Sequence, residues 1–217
     1  MPSARAVPRA FRAHPGVAAL WGVVLAAAVA LAVFATLNDR LPGDLPATRT
    51  VQDWPFPGQP FADILRFLSG TEFVVTIGAV LAVAAWLAGR RRPALVLAAG
   101  LAVMVLLQFG VKEIVDRPRP SPDLVDLRAG FTSPSFPSGH TMSPSYLYGF
   151  LATAAFSFPL TARVRAAVTG VVVAFLVLGG LANVWLGVHW TSDVVGGYFW
   201  AAAVIVPTAW IAFHNRL

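Results

Sequence analysis

Lys112, His140, His189 and Asp193 are residues whose types can move protons and phosphoryl groups, and they fall in three short polar clusters of an otherwise apolar sequence. The first cluster is "KEIVDRPRP", opening at Lys112; the second is "PSGH" at 137–140; the third is "NVWLGVHWTSD" at 183–193. In the third, His189 and Asp193 stand at i and i+4, so on a helix the carboxylate reaches the imidazole, holds its tautomer and stabilises its cation. The other ring nitrogen is left free to attack. In the first, Lys112, Asp116 and Arg119 share a face if the helix continues, although Pro118 and Pro120 predict an end near Asp116. Taken singly, Lys112, Arg117 and Arg119 would be cations snorkelling from a helix end. Taken with the other clusters, they make an anion clamp.

The second cluster supplies a helix start. Gly139 lets the backbone approach a ligand, and the amides opening the helix point at an anion with the helix dipole behind them. Ser138 can cap that helix and offer its hydroxyl to the same anion, while an isolated Ser-Gly-His reads as an ordinary cap with His140 in the first turn. Together, two histidines, one carboxylate, several cations and a helix start are the parts that phosphoryl transfer needs. Two histidines and a carboxylate could also ligate zinc, but the neighbouring cations repel a divalent metal and attract a phosphate.

The elements that carry these clusters are apolar. Of 217 residues 57% are hydrophobic and 12% charged, against roughly 25% charged in soluble domains. Six apolar segments, 17–37, 73–89, 93–111, 141–160, 166–186 and 194–213, each approach the ~20 residues that a helix needs to cross a bilayer. The expected fold is an all-α polytopic membrane protein of six transmembrane helices, a single domain over 1–217 with a basic tail at 1–15. The first segment is longer than a signal-peptide core and lacks a small-residue cleavage site, so it reads as a mature helix.

Six spans place Arg5, Arg9, Arg12, Arg90, Arg91, Arg92, Arg163, Arg165 and Arg216 on one side with no acid. The other seven cations and all ten carboxylates fall opposite, net −3 against +9. The positive-inside rule makes the basic side, with both termini, cytoplasmic, and puts the three clusters on the extracytoplasmic face of the cell membrane. Counted this way the high pI reports topology, and nucleic acid is not an expected partner. The sequence has no cysteine, which excludes disulfides and thiolate metal sites.

The outer connections are long. In 38–71, "LPGDLP" and "DWPFPGQP" argue against regular structure, and "FADILRFLSG" suggests a short interfacial helix between the first two spans, with Trp54, Phe56, Phe61 and Phe67 as a belt or lid.

On these residues the chain resembles the type 2 phosphatidic acid phosphatase superfamily, membrane lipid phosphatases that share an active site with vanadium haloperoxidases. Its three signatures are Lys, six residues, Arg-Pro; Pro-Ser-Gly-His; and Ser-Arg, five residues, His, three residues, Asp. They read here as Lys112 to Arg119-Pro120, Pro137-Ser138-Gly139-His140, and His189 to Asp193. The departure is Ala182-Asn183 in place of Ser-Arg, which replaces a phosphate-binding cation by an amide. Asn183 still donates, but a charge-assisted bond is about twice as strong. Arg117 and Arg128 are the surplus cations available to compensate.

The resemblance implies that His189, oriented by Asp193, attacks phosphorus to form a phosphohistidine, and that His140 protonates the leaving oxygen and then activates water. It implies phosphate contacts from Lys112, Arg119, Ser138 and the amides near Gly139, with no metal or organic cofactor. The implied substrate is a lipid phosphate or pyrophosphate whose tail stays in the bilayer: a prenyl pyrophosphate, phosphatidylglycerol phosphate or phosphatidic acid. Two other readings share these residues: a lipid phosphotransferase, and a catalytically impaired lipid-binding homologue motivated by Asn183. A transporter is disfavoured because no ionisable residue lies in the middle of any span.

Overall fold

The computed structural model describes residues 15–213. Among these, eight helices and no strand occur: α1 Pro15–Leu37, α2 Asp44–Gln52, α3 Gln59–Ser69, α4 Thr71–Leu87, α5 Arg91–Val115, α6 Gly139–Ala155, α7 Ala162–Trp185 and α8 Thr191–Phe213. The six apolar segments are therefore six long helices, with boundaries shifted by a few residues. The cations Arg5, Arg9, Arg12 and Arg216, and all of the basic tail except Pro15, lie outside the described residues.

Four of the long helices, α1, α5, α7 and α8, are long and apolar enough to cross a membrane by themselves, and the pair α3–α4, bent by 48°, makes a fifth if taken as one broken span. Of the six expected spans, the segment 73–89 meets this length and composition only together with α3, and 141–160 does not meet it. Helix α6 differs for a physical reason: it packs against α4, α5, α7 and α8 and buries Thr141, Ser143 and Ser145 beside Met142, Tyr146 and Phe150. A helix enclosed by other helices has no lipid-facing stripe to keep apolar. Small residues let its large ones in, since a Cβ at Gly100 of α5 would lie 1.7 Å from the Tyr146 hydroxyl.

The region 38–71 holds more helix than its prolines and glycines suggested. Besides α3, which covers the expected short helix, α2 starts at Asp44 behind Gly43, whose φ is 92°. Pro46 does not prevent it because it stands in the first turn, where an N–H has no intrahelical partner to lose. Helix α3 lies on α7, with Ala62 and Leu65 buried against Ala182 and Leu186. At the other end Arg90, between α4 and α5, stacks 5.0 Å from the Phe158 ring centroid, between α6 and α7. The described cations Arg90, Arg91, Arg92, Arg163 and Arg165 thus occupy the helix ends remote from the three polar clusters.

Candidate active site

The third cluster folds as a tight turn. Helix α7 ends at Trp185, and Gly187 follows at φ 72°, where a Cβ would sit 2.3 Å from the Asp126 carbonyl oxygen. Only glycine combines that backbone with that approach. His189 lies in the turn and Asp193 in the first turn of α8, where its Oδ2 accepts the Trp190 amide at 2.8 Å. This is the reach-back of a third-residue carboxylate that closes a helix N-terminus. The same Oδ2 lies 3.4 Å from His189 Nδ1 and accepts the Ser135 hydroxyl. Both His189 and Asp193 are buried.

Helix α5 ends at Val115, and Asp116 adopts φ 42°, so the chain leaves the helix before the two prolines. Lys112 donates from Nζ to the Pro134 carbonyl. Arg119 Nη1 is 3.2 Å from His189 Nε2. A guanidinium can only donate, so Nε2 accepts and the ring proton sits on Nδ1, facing Asp193. His189 titrates well below its usual 6.5, first because it is buried and then because Arg119, Lys112, His140 and Arg66 repel a second positive charge. Arg119 is itself pulled down to about 10, mainly by burial. The imidazole is accordingly neutral at physiological pH, with its lone pair on the side away from the carboxylate.

The Pro-Ser-Gly-His segment packs on the start of α8. Ser138 N donates to the Asp193 carbonyl at 3.0 Å, and Cβ atoms at Gly196 and Gly197 would meet the Phe136 ring at 2.3 Å and the Ser138 carbonyl at 3.0 Å. Ser138 is the N-cap of α6 by position, yet its side chain makes no capping bond. Its oxygen accepts the Thr141 hydroxyl at 3.2 Å, leaving its own proton for another acceptor. Gly139 leaves room for a neighbouring side chain: a Cβ there would lie 2.7 Å from Gln108 Nε2. Gln108 in turn accepts from the Ser143 hydroxyl at 2.8 Å and contacts Thr71. His140 borders a cavity of about 590 Å³ together with Lys112 and Arg66.

These clusters stand in a region with known relatives. The family model of the PAP2 superfamily matches residues 73–217, two thirds of the chain and all three clusters. The chain belongs to the PAP2 superfamily. Phosphatidylglycerophosphatase B of Bacillus subtilis (strain 168) is 33% identical over 105 residues, covering 44% of this PAP2 chain and 50% of that protein. The match therefore spans half the length of the curated relative. The crystal structure of a transmembrane PAP2-type phosphatidylglycerolphosphate phosphatase from Bacillus subtilis superposes with a TM-score of 0.58 at 23% identity, covering 92% of both chains. That likeness extends the fold over helices that the family match leaves out. With the apolar helices, it makes this PAP2 chain a multi-pass membrane protein.

The PAP2 chain uses its surplus cations differently from the expectation. Arg117 points away from the His189 lone pair: Nη1 meets Asp193 Oδ1 at 2.6 Å, Nη2 meets Asp44 Oδ2 at 2.8 Å, and Nε donates to the Asp39 carbonyl at 3.2 Å. It is a buried counter-ion of the carboxylate, and two acids compete for it already. Arg128 stacks 4.0 Å over Trp185 and pairs with Asp126 at 3.1 Å. Asn183 Nδ2 donates to the Gly179 carbonyl of its own helix at 2.8 Å.

Sequence reasoning missed Asp44, Ser135, Ser192 and Arg66. Asp44 accepts from the Ser192 amide at 2.9 Å and the Ser192 hydroxyl at 2.8 Å, so α2 is tied to the start of α8. No spacing rule links residues 148 apart in sequence. The available signal was an acid in "LPGDLP", which reads equally as a turn residue.

Proposed function

We propose that this PAP2 chain hydrolyses the phosphate monoester or pyrophosphate head group of a lipid at the extracytoplasmic face through a phosphohistidine. The supporting observation is the placement of His189, with Nδ1 toward Asp193 and Nε2 capped by Arg119. A phosphoryl group entering the site takes the Arg119 N–H for its own oxygen and uncovers the lone pair of Nε2. That pair attacks phosphorus as the bond to the lipid oxygen breaks, and His140 gives its proton to the departing oxygen. Water then attacks the phosphohistidine, losing a proton to His140, and the N–P electron pair returns to Nε2. Lys112, Arg119, the Ser138 hydroxyl and the amides opening α6 carry the developing negative charge.

A lipid substrate is supported by the cavity beside His140. Arg66 and Lys112 line it, and so do Phe67, Phe73 and Phe109, of which Phe67 and Phe109 are exposed. Cations and aromatic rings in one cavity suit a charged head with an apolar tail. The name of the Bacillus subtilis relative, phosphatidylglycerophosphatase B, makes phosphatidylglycerol phosphate the first lipid to try. In this reading α6 is the remaining span, α3 lies at the interface, and 1–217 is one phosphatase domain.

The test is phosphate release by detergent-purified protein in chelator from phosphatidylglycerol phosphate, phosphatidic acid and a prenyl pyrophosphate. Release is expected from at least one, abolished by His189→Ala, with an acid-labile label on the wild-type protein when a ³²P-substrate is quenched. Release that persists in His189→Ala would remove the phosphohistidine from the scheme. Because the chain has no cysteine, Asp123→Cys and Arg163→Cys report the sidedness. An impermeant thiol reagent on intact cells should label the first and spare the second.

A further inference from the structure

Three basic side chains stand around the two histidines, and their donors are unequally occupied. Arg119 has five N–H groups and five contacts: the Ser133 carbonyl at 2.7 Å, the Ser133 hydroxyl and the Pro134 carbonyl at 3.3 Å each, the Val188 carbonyl, and His189 Nε2. Lys112 uses one bond to Pro134. Arg66 donates from Nη2 to the Gly130 carbonyl at 2.8 Å, while its Nη1, shielded from solvent, has no partner among the described residues. A guanidinium nitrogen out of water and without an acceptor is costly unless a ligand supplies one.

Arg66 also faces the right chemistry. It shares the cavity wall with Lys112 and His140, and its charge acts on His140, His189 and Arg119. Asp63, one turn earlier, is held by Gln59 Nε2 at 3.0 Å and forms no ion pair with Arg66 among the described residues. The helix that carries it lies where the sequence lacks a cation. On α7, Gly179 and Asn183 are one turn apart; a Cβ at Gly179 would touch Ser69 Cβ at 3.9 Å, and Ser69 is three residues from Arg66 on α3. Residues at these spacings share a face, so the face of α3 bearing Arg66 runs along the face of α7 bearing Asn183. The Asn183 side chain, folded back on its own helix, leaves its Oδ1 buried without a partner among the described residues and brings no charge.

We propose that Arg66 is the third phosphate-binding cation of this site, donating from Nη1 to a non-bridging phosphoryl oxygen and replacing from α3 the charge absent at position 183. Residue 66 lies outside the 73–217 segment that the PAP2 family model covers. The assignment rests on the phosphate chemistry proposed above but not on turnover, since binding of inorganic phosphate reports the clamp alone.

The experiment measures equilibrium binding of ³²P-labelled inorganic phosphate to detergent-purified full-length wild type, Arg66→Ala, Arg66→Lys and the double variant Arg66→Ala/Asn183→Arg, with lipid hydrolysis alongside. Arg66→Ala should weaken phosphate binding by about tenfold or more, as expected for loss of a charge-assisted bond. Arg66→Lys should lose less, and the double variant should recover part of the loss. That recovery separates charge from structure, because an arginine at 183 does not rebuild the bond to Gly130. Should Arg66→Ala fail to fold, Arg66→Gln keeps a donor for Gly130 without the charge and is read in its place. Wild-type affinity in the neutral variant, or a loss that neither Arg66→Lys nor the double variant reduces, would overturn the assignment. So would the absence of saturable phosphate binding by wild type. Phosphate binding that depends on Arg66 without lipid hydrolysis would sustain this inference while overturning the phosphatase reading.

Discussion

Arg117 and Asp193 form a fully buried ion pair, Nη1 to Oδ1 at 2.6 Å, on the side of the carboxylate opposite the imidazole. Asp193 is thus shared among a guanidinium, the Ser135 hydroxyl, the Trp190 amide and the His189 ring. A carboxylate held from four sides cannot rotate freely, and that fixes the tautomer of His189.

Removing Arg117 should therefore cost both stability and activity. Arg117→Met leaves Asp193 and Asp44 buried without their cation, and breaking one partner of a buried pair costs about 3–5 kcal/mol. Asp44→Asn, which keeps an acceptor for Ser192, should cost less. Unfolding midpoints of the detergent-solubilised variants check the order, and equal midpoints for wild type and Arg117→Met would refute it.

Asp193→Asn should lower kcat by roughly 10³–10⁴, because an amide can present its NH2 to Nδ1 and favour the wrong tautomer. Lipid KM should change little, as Asp193 is buried behind the ring. A loss seen mainly in KM would instead put Asp193 in contact with substrate.

Stability should fall as pH drops below about 6.5. The His189 pKa is lowered in the fold, so between that lowered value and the usual ~6.5 the unfolded chain binds a proton that the native chain refuses. With more protons bound in the unfolded state, stability rises with pH across this window and is lost on acidification through it. The midpoint measured from pH 7.5 to 5 should decline less steeply in His189→Gln than in wild type. Parallel curves would contradict the assignment to His189.

Gly139→Ala should be destabilising by about 1–3 kcal/mol through overpacking, since the new methyl meets Gln108 Nε2 at 2.7 Å. Gln108→Ala in the same chain should recover part of that loss, because it removes the atoms that collide. A double variant no better than the sum of the singles would show that the clash lies elsewhere.

Composition and spacing by themselves determined the helical class, the six long helices and the three clusters, because a ~20-residue apolar run is hard to satisfy except as helix and local spacing is preserved when a segment folds. His189 and Asp193 were readable as a pair for the same reason: four residues of chain place them within reach whatever the rest of the molecule does. Helix α2 was hidden by Pro46, whose effect depends on its place in the first turn, and the enclosure of α6 by its neighbours was not legible in its serines. The partners of each cation were decided by tertiary structure alone. Arg117, Arg119 and Arg66 are alike as residues, yet one neutralises Asp193, one caps His189 and one keeps a buried nitrogen without a partner among the described residues. A guanidinium goes to whichever acceptors its surroundings bring within about 3 Å, and here those lie 14 to 78 residues away along the chain.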